Sequence, residues 1–206
     1  MPQLGNKMWK YVVLDIELGA IKDFLSKTLE AVDTEMAIIC ERDEAGEFCG
    51  LDDLANALFV PMQREAIAIR AVFYEINALV EWELYGLASK PYWNSPRHAA
   101  TSKSPGDVPI DEASSIKTVY DIPIGKARRL IERYYRINLS DVSGFAEVQH
   151  VRQVVNAFKH LKGFKDFRRD VETKVGEKLQ PTRENASEAI DAAGVFLSSL
   201  WRELKV

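Results

Sequence analysis

Apolar residues recur at intervals of three and four along almost the whole chain, and a chain patterned this way has few folds open to it. Residues 15–38, DIELGAIKDFLSKTLEAVDTEMAI, place Ile21, Phe24, Leu25, Leu29, Val32 and Met36 at that spacing with charges between them. The pattern predicts a helix with one packed face and one wet face. The segment ERDEAGEFCG reads as a turn ending at Gly50, after which Asp52 or Asp53 is placed to cap a short helix reaching Val60. Pro61 then suits the first turn of a longer helix, where its missing N–H is not needed. From Pro61 to Leu87 the chain is apolar nearly all round, as expected of an enclosed central helix, and its polar members Arg70, Asn77 and Glu81 would need partners inside.

Residues 88–118 break the pattern with four prolines and many small polar residues, so a long polar loop is expected there, with Tyr92, Trp93, Arg97 and His98 free to reach a neighbouring surface. Helix resumes at IGKARRLIERYYRI, residues 124–137, with Leu130, Ile131, Tyr134 and Tyr135 inward and Arg128, Arg129, Arg133 and Arg136 mostly outward. NLSDVSG is a turn, a further helix runs from about Phe145 to Leu161, and Gly163 is its stop. FKDFRRDVETKVGEKLQP reads either as a short helix or as irregular chain. Asn185 is placed to cap a last helix with Ile190, Ala193, Leu197, Leu200, Trp201 and Leu204 along one stripe. Only KYVVLDI, residues 10–16, hints at strand alternation. The expected fold is therefore all-α, an antiparallel up-and-down bundle of about five to six helices in one domain spanning 1–206.

The hydrophobic content of 47% suits a sizeable core for 206 residues. Net charge is only −4, yet it is unevenly spread. Residues 1–125 hold 11 Lys and Arg against 20 Asp and Glu, whereas residues 126–206 hold 16 against 11. Between Lys126 and Arg169 there are 11 basic residues and four acidic ones. That region can attract an anionic partner, or it can dock on the acidic half of its own chain or of a second copy. Cys40 and Cys49 fit no zinc spacing, and so few thiols point to a reducing compartment. The opening residues lack a basic segment followed by an apolar core, and Ala66–Trp82 is interrupted by charges. A cytoplasmic protein with no membrane span is expected.

Chemistry-bearing residues gather in VRQVVNAFKHLKG, residues 151–163. At roughly 100° per residue, Gln149, Arg152, Asn156, Lys159 and His160 share one polar arc, while Val148, Val151, Val154, Val155, Phe158 and Leu161 fill the other side. Three readings stand open: side chains converging on one ligand, a solvated face, or a polar seam against another helix. Glu147 and His150 form a single E-x-x-H pair with no second copy, so no di-iron site and no other metal is expected. His150 sits at the apolar margin of the helix as a packed residue. There is no glycine-rich phosphate loop and no nucleophile elbow, and no cofactor is called for.

The segment RQVVNAFKHLKG, in a late helix followed by one more amphipathic helix, resembles the HEPN (higher eukaryote and prokaryote nucleotide-binding) superfamily over about the last 85 residues. The resemblance implies a small helical bundle, often a homodimer, belonging to toxin–antitoxin or antiphage systems and acting as a metal-independent endoribonuclease. It carries His160 onto the motif histidine and Asn156 onto the motif's polar position. The motif's arginine position holds Val155, and Arg152 lies seven residues before His160 rather than within the usual spacing, though on the same face. The implied partners are RNA, a second copy, and an antitoxin or other protein. The implied roles are proton transfer for His160, phosphate bracing for Arg152, orientation for Asn156, and substrate binding for Lys159, Lys162 and Gln149. A non-catalytic module that binds a protein or nucleotide through residues 126–169 and the 88–118 loop is the competing expectation.

Overall fold

The apolar run beginning at Leu51 does not restart at Pro61: it continues through it. A computed structural model describes residues 3–93, 122–161 and 180–204, and places five α-helices among them. These are α1 (Gln3–Glu44), α2 (Leu51–Trp93), α3 (Ile124–Tyr135), α4 (Phe145–Leu161) and α5 (Arg183–Glu203), with one turn of 3-10 helix at Leu139–Asp141. No strand occurs among the described residues, so KYVVLDI lies inside α1. The short helix expected before Pro61 is the first part of α2. Residues 88–93, expected to open the polar loop, are its last turn and a half. The rest of that loop, with Arg97 and His98, lies outside the described residues, as does the ambiguous segment after Lys162.

Helix α2 is the hub, because every other helix packs against it. Its Ile69, Val72, Phe73, Ile76, Val80 and Leu84 are buried, and they meet Leu14 and Leu25 of α1, Ile131 of α3, Val151 and Val155 of α4, and Ile190, Leu197 and Leu200 of α5 in one core. Enclosure is incomplete, however. Ile67 and Trp82 remain 57% and 46% exposed on the outer side of α2. Phe24 of α1 and Tyr134 of α3, both expected inside, also face outward, and His150 is exposed rather than packed. The neighbouring Leu25 and Val151 take the inward positions beside Phe24 and His150, and Ile131, three residues before Tyr134, takes it on α3.

Paired side chains give the helix directions. Arg64 with Glu35 and Lys10 with Glu83 set α1 and α2 antiparallel. Tyr85 Oη donates to the carbonyl of Ile122 at 2.8 Å and ties the entry of α3 to α2. Thr182, rather than Asn185, caps α5. Its hydroxyl accepts from Asn185 N, and the Asn185 side chain accepts from Thr182 N, so two otherwise free donors are satisfied together. The next residue, Arg183, forms paired hydrogen bonds to Asp33 of α1 and Glu65 of α2, at 2.6–2.8 Å. At the other end of α5, Trp201 meets Tyr11 of α1 edge to face at 5.2 Å, so α5 runs antiparallel to α1.

Candidate functional site

Helix α4 begins after Gly144, whose φ of +82° a residue with a side chain rarely adopts. From there Val148, Val151, Val154, Val155 and Ala157 face the core. Gln149, Arg152 and Asn156 are half-buried along the edge, and Gln153 and Lys159 are exposed. The division into an apolar face and a polar arc is the one read from the sequence. The backbone of His160 lies in the last turn of α4, one turn beyond Asn156. Its side chain and the whole of Lys162 lie outside the described residues.

The edge of α4 runs along α2. Arg152 Nη1 lies 3.3 Å from Glu81 Oε1, with both side chains about a quarter exposed. Two turns further on, Lys159 Nζ sits 5.6 Å from the centre of the Tyr74 ring. Both contacts shift by seven residues on each helix in opposite senses, so α2 and α4 are antiparallel. The same register sets Asn77, the buried polar residue of the described core, at the level of Asn156. Near the end of α4, Arg70 Cζ lies 5.7 Å from the Phe158 ring centre while its Nε donates to the Ala66 carbonyl at 3.1 Å.

Arg128 reaches this edge from α3. Its guanidinium lies 5.4 Å from the ring centre of Phe145, and its buried Nε has no hydrogen-bond partner among the described residues. Burial first, and then the nearby Arg152 cation, hold Arg128 below the ordinary arginine value, while Glu132 and Glu81 act the other way. It nevertheless remains a cation at any physiological pH. Glu132 is partly engaged, since its Oε1 accepts from Leu139 N at 3.2 Å. Arg152 and Glu81 meet as an ion pair without a well-aligned hydrogen bond, and Arg152 Nη1 makes none among the described residues. This edge thus holds two guanidinium groups, each with a nitrogen that makes no hydrogen bond among the described residues, beside the carboxylates of Glu81 and Glu132, and such donors suit oxyanions.

Arg128 therefore does not face outward as expected: it is half-buried, with its guanidinium over the Phe145 ring at the edge. Glu81 and Arg70 carried a signal, as charges within an apolar helix. Tyr74 and Phe158 carried none, because an aromatic at helical spacing reads as core. Glu147 and His150 line a shallow depression of about 470 Å³ beside Asn185 and Glu188. No group of three or more His, Cys, Asp or Glu side chains that could hold a metal ion occurs among the described residues. Cys40 and Cys49 are exposed free thiols. Among the described residues no helix is long and apolar enough to cross a membrane.

Comparison of the chain with protein-family models, with curated proteins and with solved structures returned no match.

Proposed function

We propose that the chain is an HEPN-like, metal-independent endoribonuclease of a cytoplasmic toxin–antitoxin or antiphage system, working as a homodimer held in check by a partner protein. The observation that carries this reading is the edge of α4, where half-buried Arg152 and Asn156 are followed by exposed Lys159, with the backbone of His160 one turn past Asn156. RNA supplies its own nucleophile. His160 takes the proton of the 2′-hydroxyl as its oxygen bonds to phosphorus. The bond to the 5′-oxygen breaks, and that oxygen gains a proton, leaving a 2′,3′-cyclic phosphate and a free 5′-hydroxyl. Arg152 braces the extra negative charge on the phosphoryl oxygens, where a fixed guanidinium acts most strongly in the transition state. Asn156 orients the phosphate, and Lys159, Lys162 and Gln149 hold the flanking strand.

RNA degradation by the wild type, in the presence of a chelator, compared with His160→Ala at matched concentration tests this. Loss of general acid–base catalysis slows cleavage by roughly 100- to 10,000-fold. Equal rates end the catalytic reading.

The ion pair between Arg152 and Glu81 favours a second reading, in which the guanidinium belongs to the fold and the protein is a non-catalytic module that binds a protein or nucleotide. In that case RNA persists with both proteins, and a partner is retained by His160→Ala as well as by the wild type.

A further inference from the structure

Beside the last turn of α4, the outer side of α2 forms an open groove of about 460 Å³, lined by Ile67, Arg70, Ala71, Tyr74 and Phe158. That volume lies within the roughly 300–1,000 Å³ of small-molecule sites. Its composition is selective. Its described lining offers two aromatic rings, two apolar walls and one guanidinium, with the Lys159 ammonium over Tyr74 at its edge, and no carboxylate among the described residues lines it. Neither Arg70 nor Lys159 forms an ion pair among the described residues, in contrast to Arg152 and Arg183. Each cation stands 5.6–5.7 Å from its ring, near the outer limit of about 6 Å for cation–π attraction. Contacts this loose leave room for a flat ligand to exchange with the cation at the ring face. Ile67, 57% exposed, leaves apolar surface uncovered at the rim.

We infer that this groove binds an unpaired nucleobase together with the phosphate attached to it. The base stacks against Tyr74 or on the plane of Arg70, with Ile67 and Ala71 as apolar walls, and Lys159 takes the phosphate. Aromatic faces and guanidinium planes are the surfaces on which bases stack, and a base in a duplex has no free face to offer. The identification of the ligand as a strand of RNA rests on the nuclease reading of the same edge, whereas the capacity to hold a base and a phosphate does not.

The test measures binding by fluorescence anisotropy of a short unstructured single-stranded RNA whose 2′-hydroxyls are methylated so that it cannot be cleaved, of a blunt duplex of the same sequence, and of adenosine monophosphate as competitor. The proteins are the wild type, Tyr74→Leu, Tyr74→Phe and Arg70→Gln, each checked for helical content. Single-stranded RNA binds the wild type more tightly than duplex. Tyr74→Leu and Arg70→Gln weaken that binding by roughly 5- to 100-fold, the range of one lost stacking contact, while Tyr74→Phe retains it. Should Tyr74→Leu fail to fold, Arg70→Gln carries the comparison. Unchanged binding in the folded variants, or equal affinity for duplex and single strand, overturns the base site and leaves His160-dependent cleavage to stand on its own assay. If the wild type cleaves no RNA yet binds adenosine monophosphate in a manner that needs Tyr74 and Arg70, the base site stands and the nuclease reading falls. Binding of neither RNA nor nucleotide by the wild type overturns the base site.

Discussion

Gly144 has no room for one more carbon. A Cβ there would lie 2.9 Å from both the Ala192 carbonyl oxygen and the Phe196 amide of α5, and the backbone already has φ +82°. Relief requires α5 to move, since the obstructing atoms are main chain rather than the end of a pliable side chain. Left-handed backbone costs a side-chain-bearing residue roughly 1–2 kcal/mol. Forcing extra volume into packed structure adds typically about 1–3 kcal/mol. Gly144→Ala is therefore expected to lose about 2–5 kcal/mol, measured by urea unfolding. Gly46 is the internal control. Its φ is +76°, but nothing lies within 4 Å of its Cβ position. Gly46→Ala should show the backbone cost alone, roughly 1–2 kcal/mol. If the two losses are equal, the close approach of the α4 entry to α5 contributes nothing, and the start of α4 is not positioned by that contact.

At the scale of whole helices, local patterns were readable and their extent was not. The inward faces of α4 and α5 follow directly from spacing, because which residues share a face depends only on the turn of one helix. The length of α1 was hidden because its outer side also carries apolar residues. Trp9, Val12 and Ile16 are exposed, so KYVVLDI shows no clean helical stripe. Pro61 reads as a boundary but lies within α2, where its ring is buried; an interior proline costs a helix about 3 kcal/mol or more, so packing along the 43 residues of α2 has to offset it. The same distinction applies to the candidate site. The polar arc of Arg152 and Asn156 was legible from one helix, whereas Glu81, Arg128, Arg70 and Tyr74 join it only through the register between helices. Asn185 does not cap α5 alone: it is the second half of a reciprocal pair whose first half is Thr182. Thr182→Ala removes the hydroxyl acceptor and should cost about 0.5–2 kcal/mol, with Thr182→Ser restoring most of it in thermal unfolding. An unchanged Tm in Thr182→Ala would mean that the Arg183 contacts alone hold this end of α5.

For the molecule as a whole, the uneven charge of the two halves of the chain is partly neutralised within it. Arg183, from the basic half, joins Asp33 and Glu65 of the acidic half, and Arg152 joins Glu81 in the same sense. The first junction binds three helices at one end of the bundle and makes stability depend on pH in a definite direction. Hydrogen bonds from Arg183 hold the carboxyls of Asp33 and Glu65 below their ordinary values of 3.8 and 4.5. A group whose value is lower in the folded state than in the unfolded one adds stability above its ordinary value and loses it as pH falls through the folded one. The loss therefore begins near pH 4.5 and deepens below it. Arg183 itself is raised, but from a value already far above the pH range of such an experiment, so it adds no slope there. Glu17 is shifted upward by burial and by Glu83, which opposes the trend on acidification, but it is the same in both proteins being compared. Arg183→Gln returns Asp33 and Glu65 toward their ordinary values in the folded state. Its Tm should lie below that of the wild type at pH 7, and the gap should narrow as pH falls from 5 to 3. Because Asp33 is exposed, the gap at pH 7 should also shrink in high salt. Two acid limbs that run parallel would show that this junction carries no pH-linked stability.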